Sequence, residues 1–273
     1  IRSWIDSGFT WPEASLKEDR DLRLDRWSFL PLRQPQPPRS RARWVRNPID
    51  QFVLARLSEQ GLKPSSQATN QMLLRRVALL LHGLPPTLDQ LGQFKNLDDD
   101  ENYAQLVDSV LASSHFGQRW ARHWLDLVRF GETNGFEPNR ERPNAWPYRD
   151  YVINALNDDL PYDQFLREQI AGDAIGADVA ATGYLVAGPW DSVKSPDKNL
   201  TLMQRQDELA DIINVTGTAM LGLSLGCARC HSHKFDPVSQ RDYYAIQAVF
   251  AGVQHGDRDV PPDPMQAEKR VAI

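Results

Sequence analysis

The sequence predicts a mainly α fold, an irregular multi-helix domain with long loops. Apolar residues recur at helical spacing in segment after segment, capping residues bracket those segments, and no stretch alternates as a half-buried strand does. There is no internal repeat that would suggest a solenoid.

Residues 1–46 read as a connector. Trp4 and Ile5 look like the last turns of a helix already under way, so the chain is expected to be a piece of a longer or processed polypeptide. Pro12, Pro31, Pro35, Pro37 and Pro38 then favour an extended segment. Arg39, Arg41, Arg43 and Arg46 read as a solvated face, with partner docking as the alternative.

Helices begin at Asn47, an N-cap followed by Pro48 and Asp50 in the first turn. Ile49, Phe52, Val53 and Leu57 fall on one face, and Gly61 stops the helix. A second helix spans about 69–82, and Thr87 caps a short third with Leu88, Leu91 and Phe94. Tyr103, Leu106, Val107, Val110 and Leu111 mark a fourth. The fifth, about 118–130, offers Trp120, Trp124, Leu125 and Val128 to a core. Residues 131–147 form a long polar loop, where function tends to sit. Helices resume near 148–156 and 162–170; a long one covers about 205–225, and a last one 239–250. The polar stretch 191–199 reads as a loop. Residues 47–253 thus make the helical domain, and 254–273 a tail or linker.

At 273 residues and 31.1 kDa, with 41% hydrophobic and 25% charged residues, the composition is that of a soluble globular protein. A net charge of -5 supplies no basic field for nucleic acid or anionic lipid. The longest apolar candidate, 212–225, is interrupted by Asn214, Thr216, Gly217 and Gly222, so no transmembrane segment is expected. Eight Trp residues suit either packing around a large flat group or a Trp-rich core.

The only two cysteines stand as Gly226-Cys227-Ala228-Arg229-Cys230-His231. Two thiols at this spacing can each add to a porphyrin vinyl group, and the adjoining imidazole can reach the iron from the same turn. This is the signature of covalent haem c attachment, with His231 as the proximal ligand. Zinc is the rival, because His233 completes a formal set of Cys227, Cys230, His231 and His233. A Cys227–Cys230 disulfide or thioredoxin-like pair is the remaining reading. It would close a tiny loop, without the αβ context such pairs usually have.

Several strings together resemble a known family: 47–54 (Asn47-Pro48-Ile49-Asp50 onward), Gly83-Leu84-Pro85-Pro86-Thr87, 119–126 (Arg119-Trp120 onward), 142–150 (Arg142-Pro143-Asn144 onward) and 226–237. Over about 45–253 the chain resembles the cytochrome-c-associated domain of unknown function abundant in planctomycete bacteria. Residues 4–12 resemble the end of the cytochrome c domain that often precedes it, which would make 1–46 the connector from that domain. The resemblance implies exported, periplasmic or extracellular, haem-bearing proteins, often encoded beside polysaccharide-degrading systems and continuing into a second uncharacterised domain. It implies no settled reaction. Ser232 stands where relatives often have Asp, which weakens an acid/base role there.

For the sixth iron position the first expectation is His123, placed on an inward stripe with Trp120, Leu127 and Phe130; a core histidine is the alternative. His255 comes second. Met220, seven residues before the motif on the expected long helix, is too close to cross to the far face. Arg122 and Arg129 are expected at the haem propionates, or in surface ion pairs. His233 and Lys234 are the catalytic candidates, as proton shuttle and anion holder, while Asp236 is expected to cap the next turn. Glu132, Asn134 and Glu137 could hold calcium, although their spacing is not that of an EF-hand. With Asn139, Arg140 and Trp146 the same loop could bind carbohydrate.

These expectations define a c-type cytochrome domain transferring electrons to a redox partner protein or the adjacent cytochrome c domain. The alternatives are a haem-dependent oxidoreductase acting on a saccharide or small substrate, and a zinc-stabilised interaction domain.

Overall fold

The computed structural model describes residue 6 and residues 26–97, 99–136, 138–193 and 195–259. These are mainly helical, as the apolar spacing predicts. Among them the only β feature is the isolated bridge between Thr133 and Glu141. The predicted helix end at Trp4 and Ile5, Pro12 and Glu137 lie outside the described residues. The chain divides into two compact units, Ile1–Gln67 with His233–Pro237, and Ala68–Ser232 with Val238–Ile273.

In the first unit, residues 31–42 carry no regular secondary structure, as their prolines dictate. Helix α1, Pro48–Glu59, starts as predicted: the Asn47 side chain accepts from Asp50 N, and Asp50 accepts in return from Asn47 N. Its expected apolar stripe is not a core. Ile49, Phe52 and Val53 are exposed, and no residue of α1 is buried. Helical spacing identifies a face that could be covered; it does not supply the cover.

The second unit holds three apolar clusters. In the first, α2 (Asn70–Leu81, capped by Thr69) contributes Leu74 and Val77 and α4 (Asp100–Leu111) contributes Leu106 and Val110. Between them α3 (Leu88–Gln93, opened by a Thr87/Gln90 capping box) buries no residue of its own, and Phe94 and Leu97 beyond it close the cluster. The second joins α5 (Ser114–Leu127), α6 (Trp146–Asn157), α7 (Tyr162–Ile175) and a 3-10 stretch, Val179–Val186. Trp124, Val128, Tyr148, Val152, Phe165 and Tyr184 fill it. Each such side chain contributes roughly 1.5–3 kcal/mol when fully buried. The polar atoms inside are paired. The Oε1 of fully buried Gln169 accepts from Trp124 Nε1 at 2.8 Å and Tyr148 OH at 2.7 Å, and its Nε2 donates to Phe165 O. Burial pushes the Tyr148 phenol well above its ordinary value.

The third cluster forms between α8, Lys198–Val215, and α9, Gln240–Phe250. Here the chain departs from the expected single helix over 205–225. The helix starts earlier, because Asp197 caps it by accepting from Asn199 N, and so takes in residues read as loop. It also ends earlier. Thr216 and Thr218 hydroxyls donate back to the carbonyls of Ile212 and Asn214, and the turn widens into a π segment, Thr216–Leu221. Gly222, at φ +64°, then reverses the chain, and Leu223 N donates to Gly217 O. Met220 and the Cys-x-x-Cys-His string are therefore not on one helix.

Candidate functional site

Past the reversal a short 3-10 turn, Gly226–Arg229, carries the cysteine motif. Its apolar residues act as roots. Leu225 and Ala228 are buried in the third cluster at 2% and 0% exposure, which turns Cys227 and Cys230 outward. Gly226 allows a close approach: a Cβ there would lie 2.9 Å from Asn214 Oδ1. The turn is then tied to its neighbours. Arg229 O accepts from Gln240 Nε2 at 3.2 Å and Tyr244 OH at 3.1 Å, both on α9, and the Arg229 guanidinium donates to Asp207 on α8. That hydrogen bond raises the Arg229 pKa above its ordinary value.

Both thiols are free and exposed. His231 N reaches back to Cys227 O, and the exposed imidazole has Nδ1 2.9 Å from Ser232 O. With a proton on Nδ1 donated to that carbonyl, Nε2 is left with its lone pair directed away from the backbone. Two outward thiols on an anchored turn, next to an imidazole committed through Nδ1, fit the requirements of covalent haem: accessible sulfurs and one free ring nitrogen. Among the described residues no three His, Cys, Asp or Glu side chains are grouped to hold a metal ion.

In the first unit, His233 is buried. Its Nδ1 accepts from the backbone N–H groups of Phe235 at 3.2 Å and Asp236 at 2.8 Å, which leaves the ring proton on Nε2. The imidazole thereby closes the turn that Asp236 was expected to cap. Lys234 is exposed, its Nζ 5.2 Å from the centre of the Phe235 ring.

His123 is not on an inward stripe. The buried residues of α5 are Gly117, Ala121 and Trp124, with Val128 just beyond, so His123 lies one residue, about 100°, off that face. It is exposed, edge-on to Trp120, and Leu127 of the supposed stripe is exposed as well. Arg122 is also exposed. Arg129, at φ +51°, donates from Nε and Nη2 to Asp211 on α8, an ion pair rather than an open anion receptor. His255 stacks on Trp190 with centroids 4.6 Å apart. Met220 packs against the second cluster, and Met72 and Met203 are exposed.

The polar loop is more ordered than its composition suggests. Asn134 N donates to Arg140 O and Arg142 N to Glu132 O around the Thr133–Glu141 bridge. The oxygens weighed for calcium face guanidinium groups: Asn134 Oδ1 accepts from Arg142 Nε at 2.8 Å, and Glu132 Oε1 from Arg149 Nη1 at 2.5 Å. Asn139, at φ +35°, uses Oδ1 to accept from Gly135 N. Sequence reasoning missed Gln240, Tyr244 and Asp207 as supports of the cysteine turn; only the spacing of the two α9 residues, one helical turn apart, hinted at them.

Fold and motif together define a helical domain that displays an anchored Cys-x-x-Cys-His turn at its surface. The chain belongs to the family PSCyt2, described as a protein of unknown function (DUF1549), whose profile matches residues 48–255. No curated protein and no solved structure matches it. No helix among the described residues is long and apolar enough to cross a membrane.

Proposed function

We propose that this chain is a c-type cytochrome module of the planctomycete cytochrome-associated kind, part of an exported, multidomain redox protein. Cys227 and Cys230 would hold one haem through thioether bonds, and His231 would ligate its iron. The observation that carries the reading is the outward pair of free thiols on the anchored Gly226–Arg229 turn, with His231 bonded through Nδ1 to Ser232 O. Once bound, haem supplies a one-electron couple. The protein's own part is to keep the turn rigid through Leu225, Ala228, Gln240 and Tyr244, and to fix the His231 tautomer. Exposure of the attachment residues supports exchange of electrons with a partner protein or an adjacent cytochrome c domain rather than turnover in a closed pocket.

The test is the optical spectrum of protein exported from cells that carry the haem-attachment machinery. Expected are a Soret band that survives acid-acetone extraction, a mass gain of one haem, and loss of both in a Cys227→Ala/Cys230→Ala variant. His231→Ala should retain covalent pigment with altered axial bands. A featureless spectrum with zinc in metal analysis, or unmodified thiols in native protein, would end the proposal.

A further inference from the structure

A second site lies elsewhere in the same unit. The bridged loop and the first turn of α6 enclose an open groove of about 490 Å³, lined by Glu132, Glu141, Arg142, Trp146 and Arg149 among others. That volume falls in the range of small-molecule sites, roughly 300–1,000 Å³. We propose that this groove binds a neutral pyranose unit of a saccharide, with the Trp146 indole as its platform.

The groove is preformed. Arg142 is the pin: besides Asn134 Oδ1 it donates from Nη1 to Val186 O at 3.1 Å and Ala187 O at 3.3 Å, and from Nη2 to Gly188 O at 2.8 Å. Burial, and then the nearby Arg129 charge, lowers its pKa, but the guanidinium remains the donor that four acceptors require. The loop wall is therefore fixed before any ligand arrives, which reduces the ordering cost of binding.

Trp146 supplies the apolar half of the site. It is half-buried at the first position of α6 and, unlike Trp120, Trp124 and Trp190, has no ring or hydrogen-bond partner among the described residues. An indole of this kind offers a flat face to the C–H face of a sugar ring and an unpaired N–H to a hydroxyl. Beside it, Arg149 uses Nη1 on Glu132 and Nε on Asp150, leaving its other N–H groups available. The exposed carboxylates of Glu132 and Glu141 add acceptors. Planar guanidinium and carboxylate groups next to an aromatic face suit vicinal hydroxyls, which offer a donor and an acceptor side by side. Charge decides between ligands. Arg142 and Arg149 are matched by Glu132 and Glu141, so no net field selects an anion, and a polyhydroxylated neutral ring fits better than a uronate or a phosphate. The reading is independent of haem attachment: if the Soret band is absent, the groove is unaffected.

Saturation-transfer NMR and titration calorimetry on the purified chain test it, with cellobiose, maltose and xylobiose as neutral probes and sodium glucuronate as the anionic arm. At least one neutral disaccharide should bind with a Kd of about 1 mM or tighter. Trp146→Ala and Arg149→Ala should each weaken it by about tenfold or more, with the wild-type melting temperature retained. Should Trp146→Ala unfold, the half-exposed Arg149 variant carries the test alone. Silence from all three neutral probes, binding unchanged in folded variants, or a response to glucuronate alone would each overturn the proposal.

Discussion

Replacing Gly217 with Ala tests whether the cysteine turn is held by close packing behind it. Gly217 sits in the π segment against the chain that returns through Leu223 and Leu225. An alanine Cβ there would lie 2.5 Å from Leu225 Cγ, 2.8 Å from its Cδ1 and 2.9 Å from Leu223 O. The last contact is with backbone and cannot be relieved by rotating a side chain. Alanine gains about 1 kcal/mol over glycine in a helical conformation. Against this stand overpacking, about 1–3 kcal/mol, and partial expulsion of Leu225, whose full burial contributes about 1.5–3 kcal/mol. The net expectation is destabilisation by about 1–3 kcal/mol, or roughly 2–10 °C in a domain of this size. Calorimetric melts of the two proteins measure it, and the variant should also load less haem, because Leu225 roots the turn. A Gly217→Ala melt at or above wild type would refute the packing argument.

Two further substitutions probe α9. The Tyr243 hydroxyl is buried with no hydrogen-bond partner among the described residues, so Tyr243→Phe should be neutral or stabilising by up to about 1 kcal/mol in urea denaturation, and a loss of similar size would mean the hydroxyl has a use. Hydrogen bonds from the Ser239 hydroxyl and amide hold the Asp242 carboxyl below its ordinary 3.8. The stabilisation is therefore complete above that ordinary value and is lost as pH falls through the lower folded one. Asp242→Asn should cost about 0.5 kcal/mol at neutral pH and almost nothing in strong acid; a pH-independent difference between the denaturation curves would contradict this.

Capping chemistry and long-range packing differ in how readily a sequence reveals them. Asn47, Thr69 and Thr87 open helices where their side chains predict, because a cap is settled within four residues. On α5 the core candidates Trp124 and Val128 are buried as expected, whereas the stripe drawn through His123 is not, since His123 and Trp124 both sit among apolar neighbours and only the α6 and α7 surfaces decide which is covered. The end of α8 was misplaced for a related reason. Ile212 to Leu225 is apolar enough to continue, but Thr216, Thr218 and Gly222 redirect the backbone locally. The cysteine motif was fully visible as chemistry, while its scaffold, Gln240 and Tyr244 on one side and Asp207 on another, comes from residues whose types suggest nothing by themselves.

Arg142 holds its loop by uncharged carbonyls and an amide, not by a carboxylate. Counter-ions that weaken the neighbouring Arg149–Glu132 pair have no opposite charge to compete for here, and acid has no partner to neutralise. In brine or at low pH the rim of the groove would loosen while its foundation kept its shape.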